Sequence, residues 1–209
     1  MSTPTIASVV LEVDDVVEAE SFYAALGVSD RVRVRAGDAP ASGFRGYTLS
    51  LVTSQPGNVD AYVRAALEAG ATELKPAKRS FWGYGGVVQA PDGAIWKFAS
   101  SSKKDVGPPA REYDHLVLLL GVADVRATKQ FYVDRGLGVG RSYGSRYVEL
   151  EVAEQSVRLS LYARRAAAKD AGVDAAGTGS HRLGICGDLG EMADPDGFVW
   201  ETSTADRLG

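Results

Sequence analysis

The chain writes the same pattern twice. Val13-Asp14-Asp15-Val16 leads to Ser21-Phe22-Tyr23 and Leu26-Gly27-Val28. Val122-Ala123-Asp124-Val125 leads to Gln130-Phe131-Tyr132 and Leu137-Gly138-Val139. Asp15 and Asp124 stand 109 residues apart, and so do Phe22 and Phe131. Further on, Pro91-Asp92-Gly93-Ala94-Ile95-Trp96 returns as Pro195-Asp196-Gly197-Phe198-Val199-Trp200, at a step of 104. Three ordered matches make this a duplicated supersecondary unit. A length of 209 residues leaves room for two domains of roughly 100 residues.

The boundary follows from proline. Ser100 to Pro109 is polar and ends in two prolines, which strand and helix interiors reject. The expected division is a first module at 1–99, a linker at 100–110 and a second module at 111–209. Each module opens with a strand (Ala7 to Val13; His115 to Leu120) and then a helix capped by Asp15 or Asp124. Gly27 and Gly138 are expected to close those helices. Alternating strands follow at Arg31 to Arg35, Tyr47 to Val52, Arg146 to Val152 and Ser156 to Tyr162. Each Pro-Asp-Gly reads as a turn before a last short strand. Val59 to Ala69 reads as a second helix in the first half. In the second half, 188–194 has room only for a hairpin, and Arg165 to Gly179 reads as a long loop.

Composition narrows the function. The net charge is −4 and no basic run stands out, which speaks against nucleic acid as a partner. The longest apolar run, Leu116 to Leu120, is far short of the ~20 residues of a spanning helix. Met1 to Ile6 has no basic leader region. With Cys186 the only cysteine, no intrachain disulfide forms. A cytoplasmic location and no membrane contact are expected.

Strand, capped helix with Phe-Tyr and Leu-Gly, further strands, Pro-Asp-Gly-x-x-Trp, and then the whole again: this resembles the vicinal-oxygen-chelate superfamily. Glyoxalase I, extradiol dioxygenases and bleomycin-resistance proteins are its members. The resemblance implies an α+β fold, two tandem β-α-β-β-β modules forming a curled mixed sheet around a cleft. It also implies a small-molecule ligand and a monomer or homodimer. In metal-dependent members a His seven residues before the capping Asp, and a Glu four residues after the Gly of Pro-Asp-Gly, bind the ion. The first module has Ser8 and Lys97 there, and neither suits a divalent cation. The second has Glu201, while His115 lies nine residues before Asp124. Period two keeps His115 on the same strand face, so a two-residue insertion would make it equivalent.

Three functions follow as alternatives. The first is a glyoxalase/bleomycin-resistance-like small-molecule binder with no complete metal site and no cofactor. Its ligand is planar or aromatic and is met by Phe81, Trp82, Tyr84, Lys97 and Ser8. The second is a lyase or extradiol-type dioxygenase dependent on Fe, Zn, Ni or Mn, with His115, His181 and Glu201 as ligands. In the third, a metal-free enzyme, Lys97 pairs with Glu201, and one of the two, shifted by burial and by the other, acts as base. Against the second, His181-Arg182 also matches Phe44-Arg45 of the first half as an edge pair.

Overall fold

The computed structural model describes residues 3–202. Met1 and Ser2, at the start of the stretch read for a leader, and 203–209, at the end of the second expected module, lie outside the described residues. In chain order the first half holds β1 (Ile6–Val13), α1 (Val16–Leu26), β2 (Val32–Ala36), β3 (Ala41–Gly43), β4 (Tyr47–Val52), α2 (Pro56–Glu68), β5 (Thr72–Ser80), β6 (Gly83–Gln89) and β7 (Ile95–Ser100). The second half holds β8 (His115–Val122), α3 (Val125–Val133), β9 (Gly138–Tyr143), β10 (Tyr147–Glu151), β11 (Arg158–Ala163), α4 (Arg164–Ala171), β12 (Gly177–Gly179), β13 (Leu183–Gly187), β14 (Met192–Ala193) and β15 (Val199–Glu201).

Capping works as the repeat predicts. Asp15 accepts from the Glu18 N–H, and Asp124 accepts from the N–H groups of Arg126 and Ala127, satisfying donors the first turn leaves open. Gly27 ends α1 in the left-handed region, at φ 68°. Gly138 does not play that part. Helix α3 stops at Val133, Gly136 takes the positive φ, and Gly138 opens β9. The Leu137 N–H closes back on the Tyr132 carbonyl, so the turn is finished before Gly138 is reached.

The strands form an α+β architecture of open mixed sheets. The smaller sheet runs β14-β15-β13-β1-β2 and the larger β5-β6-β7-β4-β8-β11-β10-β9; β12 and β3 make a two-stranded ribbon. Both large sheets draw on both halves of the chain. In the eight-stranded sheet, β4-α2-β5-β6-β7 and β8-α3-β9-β10-β11 are complete β-α-β-β-β units that meet where β4 runs antiparallel to β8. The ends of the chain supply reduced versions. β1 and β2 join β13 and β15 through the antiparallel pair β1–β13, with Val9 opposite Ile185. The 188–194 segment is a turn and hairpin strand, as expected.

One buried cluster serves both sheets and α1, α2 and α3, with Leu49, Leu51, Trp96, Phe98, Leu116, Leu118, Leu120, Ile185 and Trp200 at its centre. A second, smaller cluster gathers Val87, Ile95 and Leu119 beneath Ala167, Ala168 and Ala171 of α4. The expected long loop is therefore in part a helix, and it lies on the opposite face of the large sheet from the main core. Three alanines let it approach closely. A Cβ on Gly121 would stand 3.3 Å from the Ala167 Cβ and 2.9 Å from the Gly46 carbonyl oxygen, so a larger residue in β8 would lift the helix off.

The 101–110 segment is strapped to the start of α2. Gln55 Oε1 accepts from the N–H groups of Val106 and Gly107, and its amide donates to the carbonyls of Gly107 and Pro108. Asn58 Oδ1 accepts from the Ala110 N–H. Two buried amides thus satisfy a stretch of backbone that has no ladder of its own.

Candidate functional site

Residues opposite each other on neighbouring strands share a face. Lys97 on β7 is opposite Ser50 on β4, Ser50 is opposite Val117 on β8, and Val117 is opposite Arg158 on β11. Their chain neighbours Leu49, Leu51, Trp96, Phe98, Leu116, Leu118 and Leu159 fill the core. The row Lys97–Ser50–Val117–Arg158 therefore crosses the face that α4 partly covers. His115 is one row along, opposite Val52. The β4–β8 register runs without a shift. Val117, seven residues before Asp124, keeps the position that the resemblance assigned to a histidine.

Two cavities open over this face. One, of about 350 Å³, lies over β5, β6 and β7 and is bordered by Lys75, Lys78, Trp82, Tyr84, Lys97 and Asp170. The Lys97 ammonium pairs with the Asp170 carboxylate near the end of α4. Lys75 Nζ donates to the carbonyls of Lys169 and Asp170 at 2.8 and 2.7 Å, a cation on carbonyls the helix leaves open. Trp82 is 84% exposed at the tip of the β5–β6 hairpin, edge-on to Phe81 with ring centroids 5.1 Å apart. The Tyr84 hydroxyl donates to Asp60 on α2 at 2.8 Å, which turns its polar end from the cavity.

The second cavity, of about 550 Å³, lies over β8, β9, β10 and β11 and includes His115, Val117, Arg141, Tyr147, Glu149 and Arg158. The Tyr147 hydroxyl donates to Glu149 Oε1 at 3.0 Å and sits 3.2 Å from Ser160 Oγ. Burial pushes that hydroxyl up to about 12. His115 is held below the ordinary histidine value, first by burial and then by the Arg158 charge.

The other sequence-derived candidates are elsewhere. Ser8, Cys186 and Glu201 form one row across β1, β13 and β15 of the smaller sheet. Both Glu201 oxygens are engaged by the Arg35 guanidinium, at 2.8 and 2.9 Å, and Arg35 also holds Glu12 at 2.8 Å. Burial raises the Cys186 thiol. His181 faces the Arg45 carbonyl through Nδ1 and the Asp196 carbonyl through Nε2, at 2.5 and 3.0 Å, and stacks on Phe198. The structure thus brings Lys97 and Trp82 to one cavity and His115 to another, while Ser8 and Glu201 share the smaller sheet. The expected Lys97–Glu201 pair does not form, because the two side chains lie in different sheets with other partners. His115, His181 and Glu201 are likewise apart. Among the described residues, no group of three or more His, Cys, Asp or Glu is placed to hold a metal ion.

Asp170, Arg158, Tyr147 and Glu149 escaped the sequence reading. The alternation of Tyr147, Glu149 and Glu151 against Val148 and Leu150 marks a polar strand face. Which cavity that face lines depends on pairings remote in sequence.

No protein-family model and no curated protein sequence matches the chain. Solved structures do. Glyoxalase I from Zea mays aligns over 99% of this chain and 94% of its own, at TM-score 0.65 and 13% identity. A point variant of the same protein aligns over the same shares, at TM-score 0.64 and 12% identity. A Bacillus subtilis protein ascribed to the dioxygenases aligns over 88% of this chain and 70% of its own, at TM-score 0.54 and 13% identity. Among the described residues, no helix is long and apolar enough to cross a membrane. Repeat, strand order and these likenesses agree that the chain has the vicinal-oxygen-chelate fold.

Proposed function

We propose that this is a glyoxalase/bleomycin-resistance-like small-molecule-binding protein that works without a metal ion. The observation that carries the reading is the central row Lys97–Ser50–Val117–Arg158. Divalent cations take imidazole, thiolate or carboxylate donors. This row offers an ammonium, a hydroxyl, an isopropyl group and a guanidinium. The Lys97 ammonium, already paired with Asp170, and the Arg158 guanidinium have no lone pair to give a cation, and valine has no donor atom. In the smaller sheet Glu201 is a proper donor, but Arg35 engages both its oxygens. The residues present do not fit a bound divalent ion.

The ligand of this reading is planar and lies in the Lys97 cavity. Trp82 supplies a face to stack on, and Lys78 and Lys97 supply positive charge beside it. An acid–base pair of Lys97 and Glu201 has no support in the geometry.

The test has two parts. Protein incubated with Fe(II), Zn(II), Ni(II) or Mn(II) and then desalted should retain no stoichiometric metal. Metal that is retained and then lost in His115→Ala would reject the reading. A planar aromatic acid such as 2-naphthoate should change tryptophan fluorescence saturably, because Trp82 is exposed while Trp96 and Trp200 are buried. Trp82→Ala and Lys97→Met should each weaken binding by about tenfold in equilibrium dialysis, which does not depend on the Trp82 signal, the cost of one stacking or ionic contact. Unchanged affinity in a Phe81/Trp82/Tyr84 triple alanine variant would overturn the placement of the ligand.

A further inference from the structure

We infer that the cavity over β8–β11 is a second binding site, for a small organic carboxylate, with Arg158 and His115 as its anchors. Both side chains belong to the sheet face turned from the main core. Among the described residues, neither the Arg158 nor the Arg141 side chain makes a hydrogen bond or ion pair. A guanidinium presents several N–H donors in a planar fork that matches a carboxylate. Here that fork stands over a floor of Val117 and Ser160, with an imidazole close enough for the two to repel. Two groups that can both be cations, placed together, are stabilised by an anion that enters.

Three carboxylates, Glu149, Glu151 and Glu154, also line the cavity. Glu149 takes the Tyr147 hydroxyl. Glu151 lies over Gly138, its Oε2 only 2.2 Å from where a Cβ would be, toward the β9 edge. Asp114, next in the chain to His115, acts on the imidazole more weakly than burial and Arg158 do. Glu154 borders the cavity from the loop before β11. Across the neighbouring hollow, Asp30 and Arg31 offset each other as an ion pair at 3.4 Å. The anion's place is therefore between Arg158 and His115, with Arg141 on the far wall.

The site is independent of the Lys97 cavity, and the test keeps the two apart. The chain has two histidines, so proton NMR of the imidazole Cε1–H groups reads His115 directly, with His181 as an internal control. Probes are benzoate and succinate, with benzamide as the uncharged counterpart. Saturating benzoate should raise the His115 midpoint by about 0.5 unit or more, since a nearby anion favours the imidazolium, and leave His181 in place. Binding then tightens as pH falls through the His115 midpoint. Arg158→Gln should raise the midpoint of the free protein and weaken the benzoate response by about tenfold, the loss of a charged hydrogen-bonded pair. Arg158→Lys should keep part of the response. The inference fails if benzoate leaves His115 unmoved, if Arg158→Gln responds as the wild type does, or if benzamide acts like benzoate. A Trp82 fluorescence change without a His115 shift would sustain the first cavity alone.

Discussion

Trp200 Nε1 donates to the Tyr132 hydroxyl at 3.1 Å, and that hydroxyl donates to Asp194 at 2.9 Å, all within the core. In the first half Tyr23 donates to Asp92 at 2.5 Å and packs against Trp96, whose Nε1 has no hydrogen-bond partner among the described residues. The repeated Phe-Tyr and Pro-Asp-Gly-x-x-Trp markers are thus two ends of one contact, which ties each capped helix to its closing strand. Tyr132→Phe leaves Asp194 and the Trp200 indole short of a partner. It should cost about 1–3 kcal/mol in urea unfolding, the usual penalty for a buried polar group left unpaired. Asp194 makes a second prediction. Burial raises its carboxyl above 3.8, so between 3.8 and its folded value the native state holds the proton more tightly than the unfolded state does. Stability should therefore fall as pH rises through that interval, and Asp194→Asn should remove that part of the slope. These markers were legible in the sequence because each is local and occurs twice. Their chemistry was not, since the partners are some 60 residues apart.

Helix α4 shows why an element can hide. Its N-cap is Ala163, with no side-chain hydrogen bond, and it has eight residues. A helix so short is marginal by itself, and its stability comes from lying on Leu119, Val87 and Ile95. Capping signals, so clear at Asp15 and Asp124, were absent here. The strands Tyr47–Val52 and Tyr147–Glu151 could be read because alternation is local, whereas their neighbours could not. Ala167→Leu should overpack the small cluster and cost about 1–3 kcal/mol, measured as a lower urea midpoint at unchanged slope. The same variant should disturb the Lys97 cavity, because Asp170 moves with the helix. Lys97→Met should cost under about 1 kcal/mol, as expected of a partly exposed pair, so any larger loss in ligand affinity would belong to binding and not to folding.

At the scale of the molecule, the duplication in sequence and the division into sheets do not coincide. The repeat divides the chain near residue 105. The strands β1 and β2 nevertheless complete a sheet with β13, β15 and β14, and β4 and β8 join the two halves edge to edge. Three hydrogen-bonded ladders, β1–β13, β4–β8 and β3–β12, therefore cross the boundary, and one core cluster is shared by both halves. Fragments 1–104 and 105–209 should each give the narrow, poorly dispersed amide spectrum of an unfolded chain, and mixing them should restore a folded complex with dispersed amides. A cooperative unfolding transition in either fragment alone would contradict this. The register between halves, like the identity of the residues that share each cavity, lies beyond what a repeat can specify, because it is fixed by packing between strands remote in the chain.

The pairing of β1 with β13 also sets a timetable for the newborn chain. Val9 leaves the ribosome well before Ile185, its cross-strand partner. At about 5–20 residues per second, the interval is on the order of 10–30 seconds. Throughout it β1 has its parallel neighbour β2 but an open flank of backbone N–H and C=O groups at Ser8, Val10 and Glu12. Such an edge is a template for any passing strand. During synthesis, a holdase or a crowded polysome would meet the N-terminal strand first.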